Sequence, residues 1–150
     1  MSRKIAREVA FKVIFETSFQ GDEKISKLMN ELLENAEEKY EVNAEDDKYI
    51  QEITEGVKGK EVELDEQIKS HLKGWTMERL NKVDVAILRL AIYEILYRDD
   101  IPYKVSVNEA IELAKVFSED ASPSFINGVL AEIISDGGNK WDLRHGRLLN

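Results

Sequence analysis

Two prolines, Pro102 and Pro123, limit where helices can begin in the last third of this 150-residue chain. Proline lacks a backbone N–H and disfavours a helical residue before it, so Ile101-Pro102 is predicted to be extended or turned. Ser122-Pro123 instead predicts a helix start, with the serine as N-cap and the proline at the first helical position. The prolines therefore predict two consecutive helices with a turn between them.

The segments that follow the prolines have helical periodicity. Ser106 and Glu109 form the Ser-x-x-Glu pattern of a capping box, in which each side chain bonds a free N–H at a helix start. Apolar residues recur at spacings of three and four, which predicts one buried stripe on each helix. The stripes are Val107, Ala110, Ile111, Ala114 and Phe117 in the first segment, and Phe125, Ile126, Val129, Leu130, Ile133 and Ile134 in the second. Gly137-Gly138 is predicted to end the second helix.

The same periodicity runs through the rest of the chain, where no alternating pattern of useful length predicts a strand. The predicted segments are helices over residues 2–19, 23–39, 43–59, 61–72 and 82–97, and a short helical turn over 77–80. Short connections between such helices are typical of antiparallel neighbours in a bundle. The sequence therefore predicts an all-α fold, a compact bundle of about seven helices.

The predicted helix over residues 82–97 is apolar on two sides, which is typical of the central helix of a bundle. Arg89 and Glu94 lie within it. We expect both to close hydrogen bonds inside the fold, because buried charges need partners. Trp75, which follows a predicted helix break at Gly74, is predicted to be a core or hinge aromatic residue.

The composition argues against several classes of protein. Cysteine is absent, which leaves no disulfide or thiolate metal site and favours a reducing, cytoplasmic compartment. No stretch approaches 18 apolar residues, so we expect no membrane segment. His71 and His145 lack metal-ligand spacing, and neither a glycine-rich phosphate loop nor a nucleophile elbow occurs. We therefore expect no enzyme, no catalytic residue, no metal and no cofactor. A hydrolase that uses two of the abundant carboxylates is left open.

The charge is unevenly distributed along the chain. The net charge is −9, but residues 22–66 alone hold 16 acidic and 6 basic side chains, while Arg3, Lys4 and Arg7 make the start of the first helix basic. Cations at a helix N-terminus are unfavourable by about 0.3–1 kcal/mol each, so their presence suggests an anion placed against that end. The alternative is that basic residues near a chain start are simply common.

The second helix start, at Ser122-Pro123, has features that suit RNA. A helix N-terminus offers N–H groups to a phosphate, and Ser122 and Ser124 add hydroxyls. Phe125 could stack on an unpaired base, which is how much single-stranded RNA is recognised. Its spacing with Val129 leaves open the alternative that Phe125 is a core residue.

A family resemblance rests on an ordered string of residue types. The run DIPYKVSVNEAIELAK followed by SPSFINGVL, the upstream run VDVAILRLAIYEIL and the first-helix segment with Ala6-Arg7-Glu8 resemble the NusB family of bacterial antitermination factors. The resemblance covers residues 3–136 and is strongest after Gly74. It implies two packed helical subdomains, at about 1–72 and 75–138, within one domain over 1–138, followed by a tail over 139–150.

The resemblance also implies a function and its residues. It implies binding of boxA-type single-stranded RNA together with NusE, a ribosomal small-subunit protein, so that RNA polymerase in an antitermination complex passes terminators, chiefly on ribosomal RNA operons. A helical protein-interaction module without RNA affinity is the alternative, and a homodimer is left open. The residues that match RNA-binding positions are Arg3, Lys4, Arg7, Ser122, Ser124 and Phe125, and those that match partner-binding positions are Phe15 and Asp84.

Two departures from the family pattern limit these assignments. Some relatives have a basic residue directly before the aromatic residue, where this chain has Ser124, and Phe15 lacks the hydroxyl that a tyrosine would supply. Asn127-Gly128 matches the family motif, but the glycine could instead serve packing by letting two helices approach closely.

Overall fold

The computed structural model describes residues 3–18 and 44–137, and all regular structure within these ranges is helical. None of the described helices is long and apolar enough to cross a membrane. The elements are α1 (Arg3–Thr17), α2 (Ala44–Gly59), α3 (Glu61–Ser70), a 3₁₀ turn (Met77–Arg79), α4 (Lys82–Tyr97), α5 (Tyr103–Phe117) and α6 (Ser122–Asp136). The predicted all-α class is confirmed. The helix predicted over 23–39 and the tail over 139–150 lie outside the described residues.

The chain divides into two compact units between Gly59 and Lys60. The resemblance placed this division later, at about 72–75. The structure groups α3 with the second unit, in which α3 contacts α4 and Arg89 of α4 bonds two of its carboxylates. The Arg89 guanidinium donates two parallel hydrogen bonds to Asp65, of 2.8 and 2.9 Å, and lies 3.0 Å from a carboxylate oxygen of Glu61. This geometry also confirms that Arg89 closes hydrogen bonds within the fold.

In the first unit, α1 packs against α2 through apolar residues at helical spacing. The buried apolar side chains are Ala6, Val9, Ala10, Phe11, Ile14 and Phe15 on α1 and Tyr49, Ile53 and Val57 on α2. The rings of Phe11 and Phe15 are tilted against each other at 6.3 Å. Burial of such a face, at about 25 cal/mol per Å² of apolar surface, stabilises the pair of helices.

In the second unit, α4 is central and contacts α3, α5 and α6, as predicted from its apolar coverage. The helix begins where the Asn81 side chain accepts a 2.7 Å hydrogen bond from the N–H of Val83, which makes Asn81 its N-cap. Glu94, inaccessible to solvent on α4, accepts a 2.7 Å hydrogen bond from the Ser106 hydroxyl. The expectation that Glu94 bonds within the fold is therefore confirmed.

Two local predictions in the second unit are wrong, and one of the two alternatives for Trp75, the core residue, is excluded. The capping box is absent, because α5 begins at Tyr103 and Ser106 lies one turn inside the helix, bonded to Glu94. Ser122 is the first residue of α6 rather than its N-cap, a position that Ala121 occupies. Trp75 is 57% exposed and therefore is not a core residue.

Candidate nucleic-acid interface

The three cations at the start of α1 differ in how far they reach solvent. Lys4 is exposed and the Arg3 side chain keeps 39% of its surface, but Arg7 is buried at 4%. All three match RNA-binding positions, but only Arg3 and Lys4 are open to solvent. Arg3 and Lys4 can approach an anion directly, whereas the Arg7 side chain is buried inside the first unit.

The ring of Tyr49 on α2 makes cation–π contacts with both guanidinium groups at the start of α1. The Arg3 and Arg7 guanidinium carbons lie 4.5 and 5.6 Å from the centroid of its ring, and Tyr49 itself is 1% exposed. Cation–π contacts of this kind are stronger when they are removed from water. Arg3 also has a loose ion pair, with its Nε 3.7 Å from Oδ1 of Asp46. Tyr49 and Asp46 therefore orient the first turn of α1.

Only part of the α6 start is open to solvent. Ser124 is exposed, Phe125 is half-buried and Ser122 is buried at 3%. The N–H groups of Ser122 and Phe125 already donate to the carbonyl oxygens of Glu119 and Ala121, at 2.9 and 3.2 Å. The features left for a ligand are the Ser124 hydroxyl and the open part of the Phe125 ring. The partly open ring fits neither a fully buried core residue nor a free surface residue.

Asp84 and Ser122 bond to each other inside the second unit. Asp84 is 5% exposed, and its two carboxylate oxygens accept hydrogen bonds from the hydroxyls of Ser118, at 2.6 Å, and of Ser122, at 2.8 Å. Asp84 is therefore buried in the chain without a partner protein, and its predicted partner-binding role stays a prediction. The Ser122 hydroxyl likewise has an internal partner, and its predicted RNA contact stays a prediction.

Phe15, the other predicted partner-binding residue, is also buried, at 9% exposure beside Phe11. Its place on the same apolar line as Phe11 could have revealed this from the sequence. As with Asp84, the structure contains no partner, so the binding role itself stays a prediction.

The structure brings the predicted site residues together in two separate sets. Arg3, Lys4 and Arg7 lie in the first unit, and Ser122, Ser124 and Phe125 lie in the second. The hypothesis that both sets contact one RNA strand stays a prediction. Sequence reasoning missed the supporting residues Asp46, Tyr49 and Ser118, whose contacts join separate helices and leave no signal in local spacing.

The exposed face of α6 contains Ser124, Asn127 and Gly128. A Cβ atom added at Gly128 would meet nothing within 4 Å in the described part of the chain. The interpretation that this glycine permits close helix packing is therefore wrong for the described residues. Glycine inside a helix costs about 0.5–1 kcal/mol relative to alanine, and no contact in these residues offsets that cost.

Comparison with known proteins identifies the class to which these helices and sites belong. A family model described as "NusB family" matches residues 4–135. The chain belongs to the NusB family, as the resemblance in its sequence implied.

Individual relatives agree with this assignment. The transcription antitermination protein NusB of Acetivibrio thermocellus is 44% identical over 134 residues, which cover 89% of each chain. The solved structure of T. maritima NusB has a TM-score of 0.76 and 33% identity, and the match covers 91% of this chain and 92% of that one. A chain from a crystal structure of the antitermination factors NusB and NusE in complex with dsRNA has a TM-score of 0.73 and 26% identity, covering 89% and 96%.

Proposed function

We propose that this chain binds boxA-type single-stranded RNA together with NusE, a ribosomal small-subunit protein. In this role it joins an antitermination complex and promotes read-through by RNA polymerase, notably on ribosomal RNA operons. The observation that carries the proposal is the likeness, over 89% of this chain, to a chain from a structure of NusB and NusE with RNA. The antitermination role is supported by the name of the A. thermocellus relative.

The start of α1 supports the RNA part of the proposal through charge. Lys4 is exposed and Arg3 is half-exposed, so both can neutralise phosphates. Phosphate contacts contribute affinity and orient the strand without selecting its sequence. Arg7 has a supporting role in this proposal, because its guanidinium lies against Tyr49.

The start of α6 supports the proposal through shape. A half-buried Phe125 ring is fixed by the fold on one side while its other side can meet a base. Stacking of a base on an aromatic ring contributes about 1–3 kcal/mol, and a fixed ring loses less entropy on binding. The exposed Ser124 hydroxyl can donate a hydrogen bond to a base or a phosphate.

A binding titration with defined RNA tests the proposal. The probes are a boxA strand, a scrambled strand of the same composition and a boxA duplex, each with and without NusE. The duplex is included because the structure of the relative contains dsRNA. We expect the boxA single strand to bind most tightly and NusE to raise its affinity, a coupling that must be reciprocal.

The salt dependence of the same titration separates the two candidate functions. Log K should fall with log salt by about 0.7 for each phosphate neutralised. If the boxA strand has no affinity even at low salt, with or without NusE, the proposal is wrong. The chain would then be a helical interaction module without RNA affinity.

A further inference from the structure

A buried carboxylate lies where the ends of three helices meet in the second unit. Asp84 is in the first turn of α4, Ser118 is the C-cap of α5 and Ser122 is the first residue of α6. Both serine hydroxyls donate to the Asp84 carboxylate, at 2.6 and 2.8 Å. Because the carboxylate is 5% exposed, it is already committed to internal partners.

Counting hydroxyl protons shows how this cluster is organised. The two serine oxygens also lie 2.9 Å apart, which makes three close oxygen pairs. Each serine has only one hydroxyl proton, so two of the three contacts can be hydrogen bonds at a time. With an ionised carboxylate both protons go to Asp84, since bonds to a charged acceptor are the stronger ones. The serine–serine contact is then a result of both serines being drawn to one acceptor.

The cluster determines where α6 begins and therefore where Phe125 lies. Ser122 is bonded through its side chain to Asp84 and through its N–H to the Glu119 carbonyl, 2.9 Å away. Phe125 follows one turn later, with its N–H on the Ala121 carbonyl. A shift of Ser122 would rotate this first turn, and the Phe125 ring and the Ser124 hydroxyl would move with it.

We propose that Asp84 is a positioning residue for RNA binding, which holds the first turn of α6 so that Ser124 and Phe125 face the strand. The inference rests on the function proposed above and adds how that site is held. It gives Asp84 a role that differs from a direct contact with NusE. A direct contact with NusE would need the negative charge of Asp84, whereas positioning of α6 needs only its hydrogen bonds.

Asparagine at position 84 separates the two roles. Its amide can donate to one serine and accept from the other, and the freed hydroxyl proton can complete the serine–serine bond. Asp84→Asn thus keeps the three contacts, all of them now hydrogen bonds, and loses the charge. Asp84→Ala removes the acceptor altogether and leaves two buried hydroxyls in need of partners.

The chain also offers a matched control for loss of a buried serine hydroxyl. Ser106 and Ser122 are 1% and 3% exposed, and each donates to a buried carboxylate of α4, at 2.7 and 2.8 Å. Ser106 belongs to α5, whereas Ser122 begins α6. Ser106→Ala should therefore cost similar stability without moving the Phe125 turn.

The experiment measures boxA affinity of all four variants at a temperature where each is folded. We expect Asp84→Ala and Ser122→Ala to lose on the order of fivefold in affinity, the lower end of what one base stack contributes. Asp84→Asn and Ser106→Ala should stay within about twofold of the unmodified chain, because neither displaces Phe125. If Asp84→Ala does not fold, Ser122→Ala, which removes the bond between α6 and Asp84, carries the expectation alone.

Amide hydrogen exchange of Phe125, whose N–H donates to the Ala121 carbonyl, provides a readout that does not require RNA. Exchange should be faster in Asp84→Ala and Ser122→Ala than in Ser106→Ala at equal global stability. Equal exchange, equal affinity loss in both serine variants, or full affinity in Asp84→Ala would each overturn the inference. If the unmodified chain itself binds no RNA, the proposed function is what has failed, and exchange alone then reports whether Asp84 holds this turn.

Discussion

The starts of α1 and α6 both contain residues predicted to contact RNA, but they are held by different forces. At α1, two guanidiniums lie over one ring at 4.5 and 5.6 Å, and the ion pair between Arg3 and Asp46 is loose at 3.7 Å. At α6, one buried carboxylate holds the turn through hydrogen bonds of 2.6 and 2.8 Å. Next to the first arrangement, the exposed cations Arg3 and Lys4 can approach an anion, and the second arrangement fixes the position of an aromatic ring.

This difference suggests that the two helix starts contribute differently to RNA binding. Exposed cations neutralise phosphates wherever the backbone runs, so they contribute affinity that salt weakens. A fixed ring can stack only on a base that lies at one position. It therefore contributes selectivity for that arrangement of the RNA, and salt affects this contribution little. Substitutions at the two helix starts should therefore differ in how salt changes their effect on affinity. The largest effect should be on stability and should come from Arg7, the buried cation of α1.

Arg7→Ala should lower the free energy of unfolding by about 2 kcal/mol, because a side chain that is 4% exposed loses its contact with Tyr49 and leaves a cavity. Urea unfolding measures this. Lys4→Ala is the control, and it should change stability by less than about 0.5 kcal/mol because Lys4 is exposed. Equal stability of the two variants would show that Arg7 does not support the α1 start.

Phe125→Leu should lower boxA affinity roughly tenfold, since it keeps an apolar side chain for the buried part of the site but removes the stacking face. The slope of log K against log salt should stay unchanged, because no charge is removed. Unchanged affinity would contradict stacking. A changed slope would instead indicate that the α6 start also controls phosphate contacts.

Lys4→Ala should reduce the salt slope by about 0.7 while lowering affinity only a few-fold at moderate salt. Lys58→Ala on α2 is the matched control, since it removes the same charge from another exposed position in the same unit. If both variants change the slope equally, the effect comes from the net charge of the protein. The proposal that Lys4 at the α1 start contacts a phosphate would then be contradicted.

Local patterns predicted the helices well because helix formation depends on near neighbours. The predicted limits of the helix over 82–97 agree with α4, whose apolar periodicity continues to both ends. The capping box failed for the opposite reason. Ser106 has a suitable glutamate three residues ahead, but it bonds Glu94, twelve residues back and on another helix. Short-range spacing has no access to that competing acceptor.

The candidate sites were less predictable because burial of a charged residue depends on contacts between helices. Arg3 and Arg7 are four residues apart and look equivalent in sequence, yet only Arg7 is buried, beside a tyrosine from α2. Asp84 matched a partner-facing position, but its two serines come from 34 and 38 residues further along the chain. Residue types at matching positions therefore identified the family, but burial of the individual side chains could be seen only in the structure.

The smallest expected effect concerns Gly128 and probes how closely RNA approaches α6. Gly128→Ala should raise the free energy of unfolding by about 0.5–1 kcal/mol, because alanine favours a helix and its Cβ meets nothing within 4 Å in the described residues. Gly59→Ala, at the end of α2 and with equally open surroundings, is the control for a glycine away from α6. A loss of boxA affinity in Gly128→Ala alone, despite its greater stability, would mean that the strand passes within a methyl group of the helix. Full affinity would instead indicate that RNA contacts only Ser124 and Phe125 on this helix. The RNA contact on α6 would then be limited to its first turn and would not continue along the exposed face to Gly128.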